Sequence, residues 1–420
     1  MRAIRSGELA DRAFARLADG VPDRDRAWLH ELVYGTLRLR GRLDWLLGRF
    51  VKRAIESLDD DVLDVLRLGA YQLLEMQSVP AYAAVSQSAE LAKSVRKRSA
   101  SGLVNGVLQS LRRAQPVTEP QDVEAIDLLS TWGSHPRWLV ERWLGHFGPE
   151  ATARLVAADN SRPQIYIRAI GISADQARAR ARSRNIVLEP ALHGADALRI
   201  ADGGVRAVLA ALPAIVQDPA AALIARYAAP GGGVLADVCA APGGKAIGLA
   251  DALRGRGRVV ASDIAFGRLQ RALENARRIG ELPLHFIVAD ARAPAVASAN
   301  TVLIDAPCTG TGTFRRHPDG KWRVQPQDLL ALVALQREIL DASSEIVAVG
   351  GVLVYSTCSL EPEENQEQVK DFLDRHPNFL RRPPSGWSEP AMIDEVGNLV
   401  VLPQEHGFDG SFAARLERVA

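Results

Sequence analysis

The chain has 420 residues, 47% hydrophobic and 24% charged, which suits two to three globular domains of about 150 residues each and excludes a disordered or collagen-like polymer. Lys and Arg number 51 against 50 Asp and Glu, so overall charge identifies no partner and only local clustering can. The apolar runs Ala207 to Val216 and Ile346 to Leu360 fall short of a membrane span, and the charged start MRAIRSGELADRAF lacks a secretory core, so a cytoplasmic protein without membrane attachment is expected.

From the start to about residue 130 the pattern is helical: Trp28, Leu32, Leu39, Leu43, Leu46, Leu47 and Phe50 recur at three- and four-residue intervals. A second run from Val62 to Leu74 follows capping aspartates at Asp59 to Asp61, and further helices are predicted over 83–98 and 103–113. Residues 1–130 therefore read as an all-α domain. Between Glu90 and Glu119 lie Lys93, Arg96, Lys97, Arg98, Arg112 and Arg113 with no acid among them. Such a cluster suits phosphate contact, and equally a solvated helix surface.

Residues 131–220 begin with a connector rich in Trp and Pro (Trp132, Pro136, Trp138, Trp143). Strand-like alternation follows at 164–169; Ser173 opens a helix with Gln176 placed for a capping box, and short strands are predicted at 186–188 and 197–200. This is a small α+β, RRM-like subdomain. From 221 to 420 strands and helices alternate: strands at 234–238, 259–263, 284–289, 302–304 and 352–356, and helices after Gly244, over 266–279 and over 327–349. The pattern predicts a doubly wound, mostly parallel sheet of Rossmann type.

In such a sheet ligands bind beyond the carboxyl ends of the strands. The first βα turn reads Asp237-Val-Cys239-Ala240-Ala241-Pro242-Gly243-Gly244-Lys245, where two glycines allow close backbone approach and the helix start offers unpaired N–H groups. Asp263 ends the second strand, where a carboxylate can take the ribose hydroxyls of an adenosine, and Asp290 ends the third. The fourth strand ends in Asp305-Ala-Pro-Cys308 and the fifth in Tyr355-Ser-Thr-Cys358. Three cysteines without CxxC spacing indicate neither a disulfide framework nor a zinc site, and no metal is expected. Two thiols and a carboxylate at one rim instead suggest nucleophilic chemistry, with Lys245 and Arg315 as candidate cations to favour a thiolate. Cys239 reads as a packing or cofactor-wall residue. The segment Arg315-Arg316-His-Pro-Asp-Gly-Lys321-Trp322-Arg323 follows directly and combines cations with an aromatic, as a loop that holds phosphate and stacks a base does.

These segments resemble the RNA cytosine-5 methyltransferases that use S-adenosylmethionine, of the NusB-domain-containing Sun or 16S ribosomal RNA methyltransferase B family. The carrying motifs are DVCAAPGGK, SDI, VADAR, DAPCTGTGTFRRHPDGKW and YSTCSLEPEENQEQV. ELVYGTLRLRGRLDWLL, DVLRLGAYQLLEM, AYAAVSQSAELAK and LVNGVLQSL look like the NusB-like helical domain, and QDPAAALIA and HGFDGSFAARLERV also fit, so the likeness covers most of the chain. Thr309 stands where Ser is commoner and Ala246 where Thr is commoner. The resemblance implies a class I methyltransferase domain with a seven-stranded sheet over 221–420, preceded by a NusB-like RNA-binding domain. It implies that Cys358 is the nucleophile, that Asp305 contacts the base and that Cys308 assists proton removal or product release. Sequence geometry alone does not choose between the two thiols. It also implies that Cys239 to Lys245, Asp263, Asp290 and Asp305 line an S-adenosylmethionine site. The expected RNA contacts are Arg315, Arg316, Lys321, Trp322, Lys93, Arg96, Lys97 and Arg98. A monomer acting on an exposed or flipped-out cytosine of 16S ribosomal RNA is expected. The alternatives are a methyltransferase for another RNA such as transfer RNA, and a catalytically silent RNA-binding or assembly factor.

Overall fold

The computed structural model describes residues 1–95, 98–193 and 196–420, apart from the side chains of Asp23 and Arg98. The chain divides into two compact units: Met1–Arg162 with Phe314–Val324, and Pro163–Thr313 with Gln325–Ala420. These bounds differ from the expected ones at 130 and 220. The long helix Arg137–Asn160 belongs to the first unit, together with the eleven-residue segment Phe314–Val324.

The first unit is helical. Its core joins Leu43, Leu46 and Leu47 to Leu66, Val85, Val104, Leu108 and Leu111, the apolar stripes of successive helices. Helix starts follow the chemistry read from sequence, since the Asp59 side chain accepts from the Asp61 N–H at the head of the Asp60–Glu75 helix. No helix among the described residues is long and apolar enough to cross a membrane.

The second unit holds two sheets. The small one has strands β1 (Tyr166–Ala169), β2 (Val187–Pro190), β3 (Ala197–Asp202) and β4 (Ala214–Val216), all antiparallel, in the order β2-β3-β1-β4. Ser173 and Gln176 form the expected capping box on the Ala174–Arg182 helix.

The large sheet contains β5 (Gly233–Asp237), β6 (Gly257–Asp263), β7 (Leu284–Val288), β8 (Ala299–Asp305), β9 (Val347–Thr357), β10 (Phe379–Arg381), β11 (Leu399–Val401) and β12 (Ser411–Arg418). Its order is β10-β12-β9-β8-β5-β6-β7, with β11 pairing beside β10 along the far edge of β12. The sheet thus has eight strands rather than the seven expected. Strands β5 to β9 run parallel, whereas β12 runs antiparallel to β9 with Phe412 opposite Thr357.

Successive side chains on a strand face opposite sides of a sheet. Accordingly Leu235, Leu303 and Val354 enter one core, while their neighbours Ala236, Ile304 and Leu353 enter the other. Both faces are covered, as a parallel sheet requires. The strand order reverses between β5 and β8, so the carboxyl ends of these strands frame the crevice.

Candidate active site

The turn after β5 is held by main-chain bonds to both neighbouring strands: Val238 N–H donates to Leu303 O at 3.0 Å and Ala240 N–H to Ser262 O at 2.9 Å. Gly243 adopts φ +98°, and a Cβ there would lie 2.5 Å from the Ala272 side chain. Only glycine satisfies both conditions. Asp263 ties the turns together, accepting from Ala241 N–H at 3.1 Å and from Ala265 N–H at 2.8 Å.

Asp237 and Gln217 flank the Gly243–Gly244 turn and share an unusual state. Both are buried, and among the described residues neither carboxylate oxygen of Asp237 and neither amide atom of Gln217 has a hydrogen-bond partner of normal geometry. Burial, reinforced by repulsion from Asp305, pushes the Asp237 carboxyl up to about 8, against the opposing pull of the Lys245 ammonium and, more weakly, of the Cys239 amide. Buried polar atoms left in this state cost stability unless something else satisfies them. A ligand presenting a cationic centre and hydrogen-bonding groups does so, and S-adenosylmethionine fits this donor and acceptor set.

The resemblance motifs contained Asp237 and Gln217 but assigned them no role. Asp290 is already engaged, since Arg292 donates to it from its backbone at 2.9 Å and its guanidinium at 2.8 Å and holds the carboxyl below its ordinary range. Burial pushes the Cys239 thiol far up, with Asp237 and Asp305 adding to the effect, which fits a wall residue rather than a nucleophile.

Register places Asp305 of β8 beside Ser356 of β9, so the two cysteine-bearing turns leave the sheet side by side. Cys308 Sγ and Cys358 Sγ are 3.3 Å apart, and the Cys358 N–H donates to Cys308 Sγ at 3.4 Å. Lys245 Nζ donates to Asp305 Oδ2 at 2.7 Å, and Ser356 Oγ to Asp305 Oδ1 at 3.2 Å. Although burial works against the Lys245 charge, Asp305 and the Cys358 sulfur hold its ammonium above the ordinary lysine value. The hydrogen bond to Cys358 pushes the Cys308 thiol well up, and burial adds to it. Of the two candidate cations, Lys245 lies within electrostatic reach of the Cys358 sulfur, and Arg315 belongs to the helical unit.

Behind the thiols lies a buried polar layer to which sequence reading gave no role. Glu364 accepts from Thr309 N–H and Gln336 Nε2, each at 2.9 Å, and the Tyr355 hydroxyl donates to Glu364 O at 2.7 Å. Gly312 N–H donates to Cys358 O at 2.9 Å. The two turns are thus cross-linked by hydrogen bonds. The acidic run EPEEN directly after the Cys358 turn was the available signal.

The structure places most of the expected RNA-contacting loop within the helical unit. Lys321 is fully buried in the helical unit and donates to Asn160 Oδ1 at 3.2 Å, while Arg315 is buried and its carbonyl accepts from Arg38 Nη2 at 3.2 Å. Trp322 Nε1 donates to Leu37 O at 2.7 Å, with the Arg40 guanidinium 5.2 Å over its ring. Phe314–Val324 is a strap inside the first unit, because its apolar and hydrogen-bonding groups find partners there. Of the basic cluster, Lys93 is exposed and bonded to Glu90 at 2.6 Å. Arg96 and Lys97 lie outside the described residues, as does the Arg98 side chain.

The profile of the family described as 16S rRNA methyltransferase RsmB/F matches residues 228–417, and that of the NusB family matches residues 3–113. The ribosomal RNA small subunit methyltransferase B of Pseudomonas putida is 36% identical, covering 100% of this chain and 97% of its own length. The chain belongs to this methyltransferase family. The probable ribosomal RNA small subunit methyltransferase B of Bacillus subtilis is 31% identical over 94% of the chain and 91% of its own length. Among solved structures, PH0851 superimposes with a TM-score of 0.81 at 25% identity, covering 99% of this chain and 97% of that one. NSun6 from Pyrococcus horikoshii, solved with SFG, gives 0.58 at 20% identity over 68% of this chain and 98% of that one. The latter likeness concerns the fold of this methyltransferase alone.

Proposed function

We propose that the protein methylates C5 of a cytosine in 16S ribosomal RNA, with S-adenosylmethionine as methyl donor and Cys358 as nucleophile. The observation that carries the reading is the 3.3 Å pair of Cys308 and Cys358 beside the Lys245–Asp305 ion pair at the sheet's switch point. Asp237 and Gln217, with the Cys239 to Lys245 turn, Asp263 and Asp290, hold the donor. When bound, it supplies an electrophilic methyl group.

C5 of cytosine is a poor nucleophile until a group adds at C6. The Cys358 sulfur forms the bond to C6, and the electron pair of the C5–C6 double bond becomes available at C5 for the methyl group. The Asp305 carboxylate, oriented by Lys245 and Ser356, accepts from the amino edge of the base and steadies the charge that develops on addition. Afterwards solvent water at the Cys308 side takes the C5 proton, the C5–H electron pair reforms the C5–C6 double bond and Cys358 departs as thiolate. Cys308 serves this last stage, since it sits against the same sulfur.

The test is transfer of labelled methyl to unmodified small-subunit ribosomal RNA, free and assembled, with 5-methylcytosine mapped. Wild type forms product, Cys358→Ala loses it by at least about 10³-fold, and Cys308→Ala accumulates a covalent RNA adduct. Product from Cys358→Ala at wild-type rate would overturn the nucleophile assignment. Methylation of transfer RNA but neither ribosomal form would replace the substrate, and absence of donor binding would favour an assembly factor.

A further inference from the structure

Away from the thiols, the second unit contains a cavity of about 590 Å³ between β1 and the helices Pro219–Tyr227 and Gly244–Leu253. Its lining includes four guanidiniums, Arg168, Arg226, Arg254 and Arg256, against two carboxylates, Asp196 and Asp251. Arg168 projects from the middle of a sheet and is only 9% exposed, yet among the described residues its Nη1 has no hydrogen-bond partner. Its position is also built. Gly248 interrupts the facing helix, and a Cβ there would lie 2.4 Å from Arg168 Nη1. Glycine in a helix interior is less favourable than alanine, so seating this guanidinium carries a cost in the fold.

Neither carboxylate supplies the missing bond. Asp251 accepts from Gly171 N–H at 2.9 Å, and both Asp251 and Asp196 act on Arg168 only through their charge. Arg256 binds the helix-end carbonyls Leu253 O at 3.1 Å and Ala252 O at 3.4 Å, and Arg226 packs 4.6 Å over the Trp387 ring and donates to Ser388. Arg254 is exposed and left-handed at φ +46°. The first turn of the Ala174–Arg182 helix, at Ser173 and Ala174, lines the same cavity and adds the positive end of a helix dipole.

We propose that this cavity is a phosphate-binding site that holds a phosphodiester of the RNA substrate, with Arg168 as its buried anchor and Arg254 at its mouth. Guanidinium forks match phosphate oxygens in geometry and charge, and a phosphate supplies the acceptor that Arg168 lacks. The cavity lies at the C-terminal end of the helix whose N-terminus carries the Gly243–Gly244 turn, about 15 Å away over ten residues at the usual rise. It therefore grips the backbone away from the reacting base. The identity of the polymer rests on the RNA methyltransferase reading; the anion site does not.

The full-length protein is titrated with a fragment of unmodified 16S RNA over a range of KCl concentrations, as wild type, Arg254→Gln, Arg254→Lys and Arg168→Gln, with folding checked by thermal unfolding. The expected result is a several-fold weaker Kd for both glutamine variants, a fall of about 0.7 in the log–log salt slope per lost contact, and near-wild-type behaviour for Arg254→Lys. The RNA KM rises while kcat at saturation holds. Arg254→Gln, at the exposed mouth, keeps the test decisive if Arg168→Gln fails to fold. Unchanged Kd and slope in Arg254→Gln and Arg168→Gln overturn the proposal. Inorganic phosphate, followed by 31P line broadening, separates the sources: broadening that RNA displaces supports the phosphodiester, and broadening that RNA leaves untouched assigns the site to free phosphate and overturns the RNA part. If wild type transfers no methyl group but the slope still drops in the variants, the catalytic reading fails and the anion site stands.

Discussion

Asp237 ends β5 fully buried, repelled by Asp305 and, among the described residues, without hydrogen-bond partners of normal geometry, so its carboxyl keeps a proton up to about pH 8. In the unfolded chain the same group ionises near its ordinary 3.8. Between these values the unfolded state releases a proton that the folded state retains, so this residue makes folding progressively less favourable as pH rises from about 4 to 8. Asp237→Asn removes that dependence. Thermal unfolding of the donor-free protein is expected to show a higher Tm for Asp237→Asn at pH 8 than for wild type, with the gap closing toward pH 4. The same substitution weakens S-adenosylmethionine binding, because an amide cannot answer a cationic centre as a carboxylate does. A Tm gap that is equal at pH 4 and pH 8 would refute the electrostatic origin.

At the scale of elements, the strap Phe314–Val324 carries the clearest consequence. Burial pulls the Lys321 ammonium down to about 7, despite the attraction of Asp159. Below pH 7 the folded and unfolded states both carry this proton, and the folded state bears the full cost of enclosing it. From pH 7 to the ordinary lysine value of 10.5 only the unfolded chain keeps it, so stability gains with rising pH across that window. Lys321→Met flattens that gain: its Tm exceeds wild type at pH 6, and the advantage shrinks toward pH 10. Parallel pH profiles for the two proteins would rule this out.

The strap also marks where sequence reading stopped. Periodicity placed the helices and the parallel strands, and strand-end motifs placed both thiols, because those signals are local. The partners of the strap are not local, since Trp322 bonds to a carbonyl 285 positions away, and a cationic loop with an aromatic reads the same whether it meets RNA or a helical core. The end of the Pro326–Glu345 helix was misjudged for a similar reason. Val347 to Val349 continues the apolar pattern of a helix, but Gly350 at φ +75° and the register irregularity opposite Ala299 turn those residues into the start of β9. Glu364 and Gln217 escaped notice because their importance lies in burial, which their residue types argue against.

For the molecule as a whole, the consequence is that the helical unit does not end where its first 162 residues end. Phe314 is 1% exposed and packs 6.3 Å from the Trp143 ring; Asp319 accepts from Ala10 N–H at 3.2 Å, and Trp322 closes on Leu37. Removing a buried Phe side chain costs about 3–5 kcal/mol, a large part of the 5–15 kcal/mol that separates an ordinary domain from its unfolded state. Phe314→Ala in the full chain is therefore expected to lower the unfolding transition of the helical unit by several degrees while leaving that of the sheet-bearing unit close to wild type. Omission of the whole strap is more severe. A fragment of residues 1–162 lacks the contacts that Phe314, Lys321 and Trp322 make with Trp143, Asn160 and the Leu37 carbonyl, whereas the same fragment carrying residues 314–324 on a flexible linker restores them. Calorimetry of the two fragments decides the point: a cooperative transition that appears or rises with the strap supports an intertwined unit, and identical transitions would mean that the helices fold without it.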